Sequence, residues 1–393
     1  MTSPAPVTDR PISPPAPAPA HARLSPSAAS RWVKCPGSVP LAARFPETGC
    51  SDAAEEGTAS HWIGSETLSG RGKAVGAWVG VKAPNGIVID MEMVDGAYVY
   101  VEAVKQAAGV QQVLTVEQPV TCMPVHPECW GTPDLFYWSA GGKELHVWDY
   151  KYGYGIVEPY ENWQLICYAA GIMTGLTGDQ DRQTTVCLHI VQPRPFHRDG
   201  AVREWRINGA DLRGYINRLS LAAHQAVSAT PCTASGAHCR YCAARHACPT
   251  LALSCYAAID YIGQAQPEEL TVEAMAMEYK VLERISVLIK SRLSAHESRM
   301  IGMIKAGGSV PGYTIDYGTG HAKWTKPVAE IIALGKMMGL ELAAEPQAVT
   351  PAKAIKAGLD EVLVKAYSER PQTGMKLLAV GNSLANRVFG VSV

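Results

Sequence analysis

Two carboxylates and an ammonium fall close together at Asp134, Asp149 and Lys151, in the stretch GTPDLFYWSAGGKELHVWDYK that runs from Gly131 to Lys151. A strand's period of two puts Asp149 and Lys151 on one face and turns Tyr150 to the other. If the chain brings Asp134 beside Asp149, two carboxylates meet where neither is stable unless a cation neutralises them. Oxygen ligands of this kind suit Mg²⁺ or Mn²⁺. A divalent ion there binds phosphate and lowers the pKa of a bound water, with Lys151 orienting that water or stabilising the developing charge. The same Asp-x-Lys spacing is also that of an ordinary salt bridge on an exposed strand.

The elements that must position these groups are legible around them. Phe136, Trp138, Leu145 and Val147 suit two strands, and Gly141-Gly142 supplies the positive-φ residues of a tight hairpin turn. A helix is expected over 53–68, with Gly57 and His61 one turn apart on one face, so that His61 can point into the site. A second helix is expected from about Met91 to Ala107, and a strand over 113–120 carries Glu117, which we keep outside the main ligand set. Gly153 and Gly155 form a loop that lets phosphate approach the backbone. The helix expected over 160–175 stacks Gln164 and Tyr168 on one face, with Leu165, Ala169 and Ile172 as core. Strands follow at 184–192 and 202–207.

The order Gly131-x-x-Asp134, fourteen residues, Asp149-x-Lys151, then Gln164-x-x-x-Tyr168 resembles the PD-(D/E)XK nuclease superfamily in its RecB-like branch. Glu56-Gly57-Thr58-Ala59-Ser60-His61 is similar to that branch's upstream helix motif, and the resemblance covers roughly residues 24–257. Leu24 to Ser38 also resembles the opening of a prophage-encoded family, catalogued as a domain of unknown function, that is grouped with these nucleases. The resemblance implies an α/β fold with a central mixed β-sheet flanked by helices, a restriction-endonuclease-like core. It implies a DNA nuclease, more specifically an exonuclease serving phage recombination or DNA processing, with Asp134, Asp149 and His61 on Mg²⁺ or Mn²⁺. Lys151 would position the attacking water, and Gln164 with Tyr168 would organise the site. DNA and a recombination or annealing protein are the implied partners. Two other classes stay open: a non-catalytic module gripping DNA ends or a recombination partner, and a zinc-stabilised structural protein unrelated to DNA.

Cys239-x₂-Cys242-x₅-Cys248-Pro249 is a second constellation. Three thiolates at this spacing wrap one metal centre and leave a fourth position open, for which Cys35 is the obvious donor and Cys232 and Cys255 are spares. One Cys before the core and three after it is similar to the iron–sulfur staple of AddB-type and CRISPR-associated RecB-like nucleases, which implies a [4Fe–4S] cluster on Cys35, Cys239, Cys242 and Cys248. A zinc site using the same cysteines, or substituting His238 or His246, is the rival. Cys122, His126 and Cys129 lack a second Cys pair nearby and read as loop residues.

The 393 residues are 47% hydrophobic and 18% charged, enough to bury a substantial core. A net charge of −1 excludes a uniformly basic nucleic-acid coat, so a DNA contact needs a local patch. The arginines at 182, 194, 198, 203, 206, 213 and 218 are the candidate phosphate-tracking patch. No apolar run is long enough to span a membrane and no secretory signal is legible, which makes the cytoplasm the expected compartment. Eleven cysteines there are thiols or metal ligands rather than a disulfide framework. Residues 1–23, rich in Pro and Ala, read as a disordered leader; 24–262 as the nuclease-like domain; and 263–393 as a helical extension. In that extension 264–267 is a linker, one long helix covers 270–304, and a small hairpin joins Tyr313–Tyr317 to His321–Trp324, with short helices near 327–339 and 351–366. Ser27 is expected to cap a short helix through Trp32 and Cys35. If the cysteine centre is an iron–sulfur cluster, protein purified without oxygen will be brown with broad visible absorbance; a colourless, zinc-loaded preparation selects the rival.

Overall fold

The computed structural model describes residues 22–45, 52–109, 112–139, 141–262, 270–319, 323–324, 328–344, 347–348, 351–356, 358–369 and 372–379. The expected leader up to residue 21, the linker at 264–267 and His321 lie outside these. The described residues fall into two compact units that divide near 265/266, the second also taking the short segment 245–247.

The first unit opens with a 3₁₀ turn at Pro26–Ala28 and two short helices, α1 (Ala29–Trp32) and α2 (Ser38–Ala42). Then come α3 (Asp52–Leu68) and α4 (Met91–Ala108). Asp90 caps α4 by accepting from the Met93 N–H at 2.9 Å, and Gly109, at φ 74°, ends it. The strands β1 (Thr115–Val116), β2 (Val120–Thr121), β3 (Trp130–Gly131), β4 (Leu135–Trp138) and β5 (Glu144–Tyr150) follow. Helix α5 (Trp163–Ile172) is capped by Asn162, which accepts from the N–H groups of Gln164 and Leu165. The unit closes with α6 (Gly178–Gln183), β6 (Thr185–Val191), β7 (Val202–Asn208), α7 (Gly209–Val227) and α8 (Pro249–Ile262).

Five strands form one mixed sheet in the order β1-β4-β5-β6-β7. Only β5 and β6 run parallel; β4 with β5, and β6 with β7, are antiparallel. The β4–β5 hairpin turns through Gly141 and Gly142 at φ 93° and 66°, as the Gly-Gly pair predicts. Nearly every residue of β5 and β6 is buried, because helices cover both faces there. On one face Leu135, Tyr137, Trp148 and Tyr150 pack with Ala59 and Ile63 of α3 and Tyr100 and Val101 of α4. On the other, Leu145, Val147, Val186 and Leu188 pack with Leu165 and Ile166 of α5 and Leu219 of α7. Each such side chain taken from water contributes ~1.5–3 kcal/mol, so the two cores dominate the stabilisation of the sheet.

Several expectations need correction. The strand over 113–120 is broken: Glu117 takes φ 49° and Pro119 has no N–H to donate, so β1 pairs with β4 while β2 turns away to pair with β3. Ser27 does not cap a helix, since Pro26 starts the turn and the Ser27 hydroxyl bonds that of Ser25 at 2.7 Å. The loop of Gly153 and Gly155 is pinned, because buried Gln192 donates to both carbonyls at 2.8 and 2.7 Å. Helix α5 is shorter at both ends than the expected 160–175.

The second unit holds α9 (Val272–Lys305), β8 (Tyr313–Thr319), β9 (Lys323–Trp324), α10 (Val328–Met337), β10 (Ala343–Ala344), β11 (Gln347–Ala348), α11 (Pro351–Lys356), α12 (Glu361–Tyr367), β12 (Ser368–Glu369) and β13 (Gln372–Ala379). Among the described residues, the expected pairing of 313–317 with 321–324 is not formed. Instead β8 pairs with β13, Tyr313 opposite Ala379, and β9 pairs with β12. Adjacent β-rich segments suggested a local pairing, but each found its partner across three intervening helices.

Gly37 marks where the N-terminal segment meets the cysteine region: its N–H donates to the Cys232 carbonyl at 2.7 Å, and a Cβ there would lie 2.8 and 2.9 Å from the carbonyls of Pro231 and Cys232. Gly57, mid-helix in α3, has nothing within 4 Å of that position. Gly37→Ala should therefore destabilise by ~1–3 kcal/mol, whereas Gly57→Ala should stabilise by ~0.5–1 kcal/mol. Urea denaturation of both variants compares them, and equal effects would contradict this packing.

Candidate active site

The register of the sheet builds the site. Val116 opposes Leu135 in β1–β4, and Leu135 opposes Trp148 in β4–β5. One step further along the same ladders stand Glu117, Asp134 and Asp149, three carboxylates in a row across three strands. The Glu117 N–H donates to the Asp134 carbonyl at 3.1 Å, which keeps this first link even though Glu117 has left the strand.

Two helices on opposite faces of the sheet reach this row at its end. From α3, His61 places Nδ1 3.5 Å from Asp134 Oδ1. From α5, Gln164 donates to Asp149 Oδ1 at 2.9 Å and accepts from Lys151 Nζ at 3.2 Å. Lys151 Nζ sits 3.0 and 2.9 Å from the two Asp149 oxygens. Tyr168 stands one turn from Gln164 on α5, and its ring lies against Gly131, where a Cβ would approach it to 3.2 Å. All six residues expected at the site, His61, Asp134, Asp149, Lys151, Gln164 and Tyr168, are thus brought to one place.

Asp149 is 2% exposed and Asp134 is half-buried. Burial, opposed by Lys151 and reinforced by Asp134, leaves the Asp149 carboxyl above its usual range. Burial also works against Asp134, but His61, Lys151 and the Tyr150 N–H, which donates to Oδ2 at 2.6 Å, hold it below. Burial disfavours the His61 cation, yet Asp134 outweighs it and raises His61; Asp149 and Asp134 do the same for Lys151. Two neighbouring carboxyls pushed apart in this way mark a place for proton transfer or cation binding.

Glu117 was set aside in the sequence, yet it completes the row. His61, Glu117 and Asp134 each offer a ligand atom within 4.8 Å of the others. Although Glu117 keeps solvent contact, its carboxyl faces inward, and partial burial together with the Asp134 charge pushes it up to about 7. Mixed oxygen and imidazole donors carrying surplus negative charge fit a hard or borderline divalent cation. Asp149, by contrast, is taken up with Lys151 and Gln164.

Ser60 and Tyr150 were also missed. The Tyr150 hydroxyl bonds Ser60 Oγ at 2.8 Å, its ring stacks on Tyr100 at 5.0 Å, and His61 tilts over it at 4.9 Å. This contact seats α3 on β5 and so aims His61. The available signal was adjacency, since Ser60 precedes His61 and Tyr150 separates Asp149 from Lys151.

The arginines do not make the expected patch. Arg182 pairs with Asp179, Arg194 with Glu92 and Glu56, Arg198 with Asp199, Arg203 with Glu158, Arg206 with Glu144 and Glu204, and Arg213 with Asp181. Arg218 lies over the rings of Trp163 and Tyr215. The strands and helices that carry them also carry matching carboxylates, so little excess positive charge remains.

At the cysteine centre, Cys35, Cys239, Cys242 and Cys248 are all buried. Burial pushes the Cys35 and Cys239 thiols up, both feel the charges of Cys242 and Cys248, and Cys239 also feels Cys35. The Ala234 N–H donates to Cys35 Sγ at 3.3 Å. Four buried thiols with a backbone donor suit zinc or an iron–sulfur cluster. His238 instead bonds the Ala234 carbonyl at 2.9 Å, and Cys232 is exposed. Cys122 and Cys129 are buried in the core, in the same cluster as Cys167 of α5.

No helix among the described residues is long and apolar enough to cross a membrane. A family model described as "Protein of unknown function (DUF2800)" matches residues 21–356. The chain belongs to that family.

The raised Glu117 gives a pH signature. Its folded pKa of about 7 exceeds the ordinary 4.5, so the native state holds this proton more tightly; that stabilisation is complete below about 4.5 and is lost as pH rises through 7. In EDTA, Glu117→Gln should raise the melting temperature at pH 8 and change it little at pH 4. An equal shift at both would show that the carboxyl is not perturbed.

Proposed function

We propose that the protein is a metal-dependent DNA nuclease of the PD-(D/E)XK type that hydrolyses phosphodiester bonds, working as an exonuclease in phage recombination or DNA processing. The observation that carries this reading is the row Glu117, Asp134, Asp149 with His61 at one end and Lys151 held at the other.

Asp134, Glu117 and His61 would hold Mg²⁺ or Mn²⁺, with Asp149 at the edge of that set. Such an ion, when bound, supplies phosphate binding and a water of lowered pKa. Lys151 keeps its proton at Nζ because Asp149 and Asp134 raise its affinity for it, so it donates to the attacking water or to a phosphate oxygen as negative charge builds. Gln164 fixes that ammonium by accepting from Nζ while donating to Asp149, and Tyr168, one turn along α5, packs against Gly131 beside it. The four cysteines would hold a [4Fe–4S] cluster, or zinc in its place, joining the segment before the catalytic core to the segment after it. Metal binding and folding of that junction would then be coupled.

The second reading is a module that grips DNA ends or a recombination partner without cutting; the neutralisation of the candidate arginines by carboxylates counts against a basic DNA grip in either reading. That leaves the DNA path unexplained by basic side chains.

Degradation of linear DNA on addition of Mg²⁺ or Mn²⁺ tests the proposal. Asp149→Ala and Lys151→Ala should each reduce the rate by about 100-fold or more, and Glu117→Ala should raise the Mn²⁺ concentration needed for half-maximal rate. DNA binding in EDTA with no cleavage on adding Mn²⁺ supports the second reading. Wild-type rates in both the Asp149 and Lys151 variants refute the assignment.

A further inference from the structure

A second cluster of metal-ligating side chains lies on the same sheet, away from the carboxylate row, near the start of β5. Glu144 and His146 stand two apart on β5 and so share one face. The β5–β6 register puts Cys187 opposite His146. Their ligand atoms, with that of Glu144, lie within 4.8 Å of one another. Glu204 on β7 comes to the same place: its carboxylate stands 4.0 Å from His189 Nε2 and shares the Arg206 guanidinium with Glu144.

The two imidazoles are arranged as in a ligand and its support. His146 Nε2 faces Glu144 Oε2 at 3.4 Å, while His146 Nδ1 meets His189 Nε2 at 3.0 Å. Two imidazole nitrogens at that distance share one proton, so one ring donates and the other accepts. A metal-bound His needs such a partner on its far nitrogen to fix the tautomer. Both rings are buried. Their planes are also fixed, since Tyr137 stacks on His146 at 4.6 Å and Trp148 on His189 at 3.8 Å.

Arg206 competes for the same carboxylates. Its guanidinium binds both Glu144 and Glu204, so one cation already bridges the two carboxylates that a metal would bridge. Arg206 is about half exposed and can swing into solvent. Thiolate, imidazole and carboxylate donors together suit zinc better than Mg²⁺. Tetrahedral zinc with bonds of about 2.0–2.3 Å needs ligand atoms ~3.3–3.8 Å apart. The two Glu side chains, neither of which is buried, have room to rotate toward that spacing.

We propose that Glu144, His146, Cys187 and Glu204 form a structural zinc site that clips β5, β6 and β7 together, with His189 orienting His146 and Arg206 as the ion's competitor. This rests on neither the nuclease reading nor the Cys35 centre. The test uses the full chain, treated with chelator, loaded with ZnCl₂, passed through a desalting column and assayed for zinc, with affinity taken from competition against a zinc dye. Beyond any zinc held at the Cys35 centre, wild type should hold one further equivalent that Cys187→Ser and His146→Ala each bind at least about tenfold more weakly, and Arg206→Gln should bind that equivalent more tightly. His61→Ala and Asp149→Ala should retain it. If His146→Ala does not fold, Glu144→Gln, at the partly exposed start of the strand, carries the test. Unchanged zinc affinity in these ligand variants overturns the proposal, as does loss of the equivalent in His61→Ala or Asp149→Ala alone.

Discussion

The organisation of the first unit turns on a charge problem at the end of one sheet. Asp149 and Lys151 form an ion pair on the strand that is buried on both faces. At ~3 Å and an effective dielectric of about 20 the attraction is ~5 kcal/mol, while desolvation costs several kcal/mol for each ion. The two nearly cancel, so the pair gives little net stability and an apolar pair would serve the core as well. Removing one partner is different, because the other is left buried and uncompensated. Everything around the pair acts to keep it satisfied: Gln164 bridges it, and the Asp134 carboxyl is itself tied to His61 and to the Tyr150 N–H.

That arrangement needs helices on both faces to end at the same place. Helix α5 reaches it because Asn162 caps the turn that carries Gln164, and because Gly131 leaves room for the Tyr168 ring. Helix α3 reaches it through Ser60, whose hydroxyl meets Tyr150 and the Met93 carbonyl. Tyr150 therefore belongs to the architecture of the site while pointing away from it. The alternation of a strand divides the labour: Asp149 and Lys151 face one side and the residue between them holds the helix on the other.

The N-terminal segment is bound into the unit from a distance. Gly37 donates to the Cys232 carbonyl, Arg31 to the Tyr241 carbonyl, and Cys35 accepts from Ala234. These contacts bring Cys35 into a buried group with Cys239, Cys242 and Cys248. A shared metal centre there would restrict the unfolded chain as well as hold the folded one, which fits a region made of short turns with little core of its own.

The sequence by itself determined the parts whose signals are local. The hairpin around Gly141-Gly142, helices α3 and α4, and the buried strands β5 and β6 follow from turn chemistry and hydrophobic period. Asp134, Asp149, Lys151, His61, Gln164 and Tyr168 were legible as candidates from spacing. What only the tertiary structure decided depends on pairing between distant segments. Glu117 joins the row because a kink at its own φ breaks the strand that local composition favours. The arginines lose their charge to carboxylates on neighbouring elements, which composition over a window does not reveal. β8 chooses β13 rather than its neighbour, and Glu144, His146 and Cys187 meet only once β5 and β6 are in register. Backbone preference and periodicity act over a few residues, whereas charge compensation and strand partnership are settled by which surfaces the whole chain brings together.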